Sequence, residues 1–174
     1  MQDQHVDLVI RLQQGDDKAF EQLYELHRKQ VWLYCLKIVS DRELASDVFQ
    51  ETFIRIYQKS GSFRGTGSIT GWIFRIARNA CYDALRRQKS HPSVSDVDDM
   101  ASPANSYDNI EDREQLGQAL DQLTREQKEI ILLREIQGFS YKDIAQLTGA
   151  SLASVKVRLF RARERLRSVL HALE

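Results

Sequence analysis

The stretch SYKDIAQLTGASLASVKVRLFRARERLR, Ser140 to Arg167, decides the reading of this chain. Two short helical patterns are joined by TGAS, the layout of a helix-turn-helix. Ser140 with Asp143 is a helix-start signal, and Gly149 stands where a helix end needs a left-handed residue. At about 100° per residue, Val155, Leu159, Ala162 and Leu166 line one stripe of the second helix, predicted to pack on Ile144 and Leu147. Opposite that stripe lie Ala153, Val157 and Phe160, with Lys156 and Arg161 at their sides and Arg158 flanking the stripe. From Lys156 to Arg167 there are six basic residues against one acid, Glu164. Such a face can be a solvated, dipole-complementing helix end. It can also be a recognition helix for a major groove, where cations bind phosphates and guanine edges and small apolar groups meet thymine methyls. Only the second reading gives Val157 and Phe160 a reason to stand among the charges.

The remaining composition sets bounds. A chain of 174 residues, 42% hydrophobic, suits one domain or two small ones. Its 25 basic and 25 acidic residues give zero net charge, so the distribution of charge matters more than its sum. Two cysteines, Cys35 and Cys81, form no CxxC and read as buried thiols in a reducing compartment. The N-terminal MQDQHVDLVIRLQQGDD is acidic and amphipathic and lacks the pattern of a signal peptide. No apolar run approaches the ~18 residues of a membrane span. A cytoplasmic protein with no membrane insertion is expected.

The expected fold class is all-α: two small helical domains joined by a flexible acidic linker. Both prolines, Pro92 and Pro103, fall in HPSVSDVDDMASPANSYDNIED. Between His91 and Asp112 there are six acids and no Lys or Arg, and the hydrophobic periodicity stops. The domains are therefore read as 1–90 and 113–174, with 91–112 between them. In the first, GDDKAFEQLYELHRKQVWLYCLKIV is one helix, started at Gly15 and Asp16. DRELASDVFQETFIRIYQKS is a second, capped by Asp41. SFRGTGSITG then interrupts with three glycines before GWIFRIARNACYDALRRQK resumes. In the second domain Thr124 with Gln127 forms a capping box, and Gly138 matches Gly149 as a helix end.

Two segments of the first domain carry chemistry. In SDVFQETFIRIY, Asp47, Gln50, Glu51 and Arg55 share the polar side of an apolar helix, which on spacing alone is an ordinary solvated face. FRGTGSITGWIFRIARN sets a glycine-rich loop between Phe63-Arg64 and a Trp-led helix bearing Arg75, Arg78 and Asn79. Basic residues for the backbone, with polar loops and aromatics for unstacked bases, are what grips single-stranded nucleic acid. Core packing is expected for at least two of Trp72, Ile73 and Phe74.

An enzyme finds little support. His5, His27, His91 and His171 are scattered, with no metal-ligand spacing. There is no P-loop, and FRGTGSITG follows no strand. No cofactor and no metal are expected. A stand-alone helix-turn-helix regulator with an N-terminal sensing domain is the other alternative. The first half opposes it, since it shows no βα alternation and no acidic phosphorylation pocket.

Taken in order, GDDKAFEQLYELH, ASDVFQETFIRIY, SFRGTGSITGWIFRIARN and LTREQKEIILLREIQGFSYKDIAQLTGASLASVKVRLFRARERLR resemble the extracytoplasmic-function sigma factors of bacterial RNA polymerase, over nearly the whole chain. The resemblance implies a factor that binds core polymerase, recognises −35 and −10 promoter elements and promotes melting, for a specialised, stress-response gene set. Asp47, Gln50 and Glu51 would meet the coiled-coil clamp of the largest polymerase subunit. Arg64, Thr66, Gly67, Ser68, Arg75, Arg78 and Asn79 would take the −10 element, capturing a base flipped from the melted non-template strand. Ser154, Lys156, Val157, Arg158, Phe160 and Arg161 would read the −35 duplex. Many members have serine where this chain has Val157, which implies a methyl contact and an altered −35 preference. The linker would thread the polymerase cleft. An anti-sigma factor is an expected partner, and the free chain is expected to be monomeric.

Overall fold

The computed structural model describes the backbone of residues 2–65, 67–90 and 110–173, and the side chains of 5–65, 67–89 and 115–172. Among these residues all regular structure is helical, as the sequence predicts. The chain divides into two compact units, Met1–Ser93 and Val94–Glu174. The acidic linker of the sequence reading lies outside the described residues from 91 to 109. Helix begins at Ile110, so Ile110, Glu111 and Asp112 extend the second unit's first helix rather than the linker.

The first unit holds α1 (Gln2–Gln13), α2 (Asp17–Val39), α3 (Arg42–Lys59), a 3-10 turn (Ser60–Ser62) and α4 (Ile69–Ser90). Asp16 starts α2 by accepting from the Lys18 N–H, and Asp41 starts α3 by accepting from the Leu44 N–H at 2.8 Å. Side chains at i, i+3 and i+4 then meet inside. Leu23, Val31, Tyr34, Cys35 and Ile38 of α2 face Ala45, Val48, Thr52 and Ile56 of α3 and Ile73, Phe74, Ala77 and Cys81 of α4, all buried. Ile73 and Phe74 are core residues, as expected, and Trp72 is only half-buried. Edge-on aromatic contacts run down the α2–α3 seam, with Tyr24 against Phe53 at 4.7 Å and Phe49 against Phe53 at 5.1 Å.

The second unit holds α5 (Ile110–Asp121), α6 (Arg125–Ile131), α7 (Tyr141–Thr148) and α8 (Leu152–Leu173). Both capping boxes are complete: Thr124 with Gln127, and Ser140 with Asp143. One difference from expectation follows α6. The helix passes into a π turn, Leu132–Ile136, instead of running on to Gly138. Burial is continuous from Lys128 to Leu133, across the end of α6 and into the wider turn. The wider turn lets both leucines face inward, and the Gln137 N–H closes on the Leu132 carbonyl at 3.0 Å. Gly138 and Gly149 adopt the left-handed conformation, φ 71° and 73°.

His27 of α2 is fully interior, and neither ring nitrogen has a hydrogen-bond partner among the described residues. Its ring meets that of His5 on α1 edge-on at 5.3 Å. Burial, with His5 beside it, pushes the His27 imidazole down from 6.5 to about 4. Between those values the unfolded chain takes up a proton that the folded bundle refuses. The stability of this unit is therefore full above about pH 6.5 and falls as pH drops towards 4, by roughly 3 kcal/mol at about 1.4 kcal/mol per pH unit. Denaturant titrations of the first unit's transition should show the midpoint dropping between about pH 7 and pH 5, and His27→Leu should flatten that slope. Equal slopes for the two proteins would exclude His27 as the cause.

Candidate nucleic-acid interface

The outward face of α8 comes from how the helix is seated. Val155, Leu159 and Ala162 are buried to within a few per cent, on the stripe the sequence predicts, and so is Val169 beyond it. Leu166 is only half-buried, and Val169 continues the stripe in its place. Ile144 and Leu147 of α7 are buried and α7 packs on α8, as expected. With the stripe fixed, the opposite side must face water. Val157 is 48% exposed and Phe160 65%, and Ala153, Lys156, Arg158 and Arg161 are exposed beside them. Ser154 is half-buried near the helix start, where its N–H donates to the Ser151 Oγ at 3.2 Å.

Not every arginine of α8 belongs to that face. Arg163 reaches back to Glu135 beyond α6, with Nε and Nη2 on the same carboxylate oxygen at 2.9 and 2.6 Å. This hydrogen bond holds the Arg163 guanidinium above its ordinary range. Arg167 pairs with Glu164. The sequence counts six cations here, and in the structure Arg163 is engaged by Glu135.

In the first unit, Arg64, Gly67 and Ser68 lie on the exposed loop between the 3-10 turn and α4, whereas Thr66 lies outside the described residues. Gly65 and Gly67 both have positive φ, 70° and 94°, with open space around each. The loop turns twice through a region that side-chain-bearing residues resist. Ser68 ends it by capping α4, its Oγ accepting from the Gly71 N–H at 3.2 Å. One face of α4 then presents Trp72, Arg75, Arg78 and Asn79 in succession. Arg75 and Asn79 are exposed. Arg78 is half-buried, its guanidinium 4.5 Å over the Tyr82 ring. The sequence reading omitted Tyr82, though its place four residues after Arg78 is a legible signal.

On α3, Asp47 and Gln50 are exposed. Glu51 is less available. Arg55 Nε holds its carboxylate at 2.7 Å and reaches Asp83 of α4 at 3.3 Å through Nη1. The Glu51 bond chiefly keeps the Arg55 guanidinium above its usual range. Burial would raise the Asp83 carboxyl, but hydrogen bonds from Arg86 and Arg55 outweigh it and hold the group low. The sequence groups Asp47, Gln50, Glu51 and Arg55 as one polar face. The structure splits them into two open groups and a two-helix bridge that no local spacing could announce. Among the described residues no three His, Cys, Asp or Glu side chains are placed to hold a metal ion. No helix there is long and apolar enough to cross a membrane.

Comparison with known proteins gives one family match in each unit. Residues 23–91 match the family described as Sigma-70 region 2, and residues 113–166 match Sigma-70, region 4. The chain is 32% identical to the RNA polymerase sigma-H factor of Pseudomonas aeruginosa, over 99% of this chain and 96% of that protein. It is 34% identical to the ECF RNA polymerase sigma-E factor of Haemophilus influenzae, over 95% of each. Among solved structures it resembles the sigma factor RpoE crystallised with the anti-sigma factor NepR from Bartonella quintana. That match has a TM-score of 0.77 at 29% identity, covering 88% of this chain and 98% of that one. A first half that matches sigma region 2 favours a sigma factor over a stand-alone regulator. The chain belongs to the extracytoplasmic-function family of bacterial RNA polymerase sigma factors.

Proposed function

We propose that this sigma factor divides promoter reading between two helix faces and docks on polymerase through a third. The observation that carries the proposal is the exposure of Val157 and Phe160 inside a ring of cations, on a helix whose opposite stripe is buried. A hydrophobic face of that kind gains from contact with base edges and sugars, and the cations around it supply phosphate attraction and orientation. Residues 113–174 would therefore read the −35 duplex, with Ser154, Lys156, Val157, Arg158, Phe160 and Arg161 at the groove.

Residues 1–90 would take the −10 element in single-stranded form. Arg64 and Arg75 suit the strand's phosphates. The Gly65–Ser68 loop, with Asn79 and the Arg78–Tyr82 stack, suits an unstacked base. Extruding a base costs a few kcal/mol, and a pocket that binds it specifically offsets that cost. Melting then needs no nucleotide hydrolysis and no catalysis by this chain, which acts in the cytoplasm without a cofactor. Asp47 and Gln50 are the open contacts for the clamp of the largest polymerase subunit. Glu51 joins them while also holding Arg55. The solved relative bound to an anti-sigma factor supports a similar inhibitor here. Residues 91–112, acidic and free of Lys and Arg, suit a tether through a cleft lined for a polyanion.

Run-off transcription with purified core polymerase and a pool of genomic promoter fragments tests the whole reading. Transcripts that require this protein support it and give both elements from their aligned starts. DNA binding with no such transcripts would overturn it.

Arg161→Ala should weaken −35 duplex binding by about tenfold and reduce the salt slope by about one, as loss of a phosphate contact does. Val157→Ser should instead change the preferred base at one −35 position with little loss of affinity. An unchanged preference across a library of −35 variants would remove Val157 from the readout.

Asp47→Ala with Gln50→Ala should lower core-polymerase affinity and leave −35 duplex binding by the same protein intact. Glu51→Ala should add a second effect, a lower thermal midpoint, because Arg55 then loses its closest partner. A parallel fall in polymerase and duplex binding for the first pair would point to misfolding instead.

A further inference from the structure

Gln13 is the last residue of α1 and stands 47 and 50 positions from the two carbonyls it touches. Its Nε2 donates to the Ser60 carbonyl at 2.8 Å and to the Phe63 carbonyl at 3.0 Å. An amide nitrogen has two hydrogens, and both are used. Ser60 is itself buried, its Oγ donating to the Tyr57 carbonyl at 2.8 Å, and the Phe63 N–H closes the 3-10 turn on the Ser60 carbonyl. The buried Phe63 ring packs against Trp72 at 5.5 Å. These contacts fix the first end of the Arg64–Gly67 loop, and the Ser68 cap on α4 fixes the other.

We infer that Gln13 is a positioning residue for the −10 loop, an inference that rests on the loop's role under Proposed function. A loop that must receive an extruded base loses affinity for every backbone degree of freedom it freezes on binding. The Gln13 fork removes part of that freedom beforehand, at the residues where the loop leaves the helical frame. The device is separate from the seating of α1, which rests on Leu8, Val9 and Leu12, all buried. Replacing the donor amide with a carboxylate turns two hydrogen bonds into two repulsions against carbonyl oxygens.

The test uses holoenzyme assembled from core polymerase and the full-length chain. The probe is a randomised single-stranded DNA pool, read as fraction bound and as base enrichment after sequencing. Gln13→Glu should weaken capture by about tenfold, the loss expected for about two net hydrogen bonds, and erase enrichment at the captured base. Gln13→Lys keeps a donor and should restore most of both. Val31→Ala, a core cavity elsewhere in the same unit, should lower the thermal midpoint and leave enrichment unchanged. If Gln13→Glu does not assemble, Gln13→Ala carries the same comparison. Asn79→Ala separates the two ideas. Loss of capture with Asn79→Ala but wild-type enrichment with the Gln13 variants overturns the positioning role alone. Wild-type capture and enrichment with both Asn79→Ala and Arg75→Ala overturns the loop's role, and the role of Gln13 with it.

Discussion

A helix in a small bundle can bury one stripe, and whatever the rest of its circumference carries is offered to solvent. That constraint is sharpest at α8. Val155, Leu159, Ala162 and Val169 are interior, so the helix cannot rotate without opening a core of branched side chains. Burying the stripe fixes which residues point away from it. Val157 and Phe160 sit outside because the core already has its quota of contacts, and each leaves apolar area in water at about 25 cal/mol per Å². Arg163 on Glu135 adds a second restraint from the side.

The same logic organises the first unit with more parts. α3 and α4 bury complementary faces and are tied across their polar edges by Arg55 between Glu51 and Asp83. The proposed polymerase contact and the proposed single-strand face therefore lie on two helices that share one ion-pair bridge. A change in Glu51 reaches α4 through Arg55 without passing through the core. The loop between these helices is fastened at both ends, and its Gly65 and Gly67 hold positive φ with open space around each. Rigid ends suit the proposed capture of a base without refolding.

Periodic features were legible in the sequence because they follow from local spacing. The helices, both capping boxes, the buried stripe of α8 and the exposed pair opposite it all come from positions three and four apart. What escaped was of longer range. No local pattern joins Arg55 to Asp83, Gln13 to Ser60 and Phe63, or Arg163 to Glu135. These contacts depend on how helices come to rest against one another. The π turn escaped for a different reason. Four consecutive apolar residues, Ile130 to Leu133, are compatible with helix or strand by pattern, and nothing in their local spacing distinguishes a regular turn from the wider one. Leu166 is only half-buried, and Val169 takes the deeper position because α8 continues past the helix-turn-helix along α5 and α6.

Charge gives the last step. The chain carries 25 basic and 25 acidic residues, yet Lys156 to Arg167 holds six cations and one acid, and His91 to Asp112 holds six acids and no Lys or Arg. A molecule of zero net charge is not drawn to DNA from far beyond the ~10 Å over which salt screens charge. Its attraction is confined to the faces where cations are gathered. Non-specific DNA binding grows with the number of phosphates neutralised, so a short basic face on a neutral protein limits how much affinity any sequence receives for free. Discrimination then falls to the contacts that only the right sequence satisfies, which on the proposed reading are the apolar pair on α8 and the loop before α4. Splitting these between two units makes each weak alone. Joined by one tether and held on one polymerase, they add through effective concentration, so a site must satisfy both to be bound well.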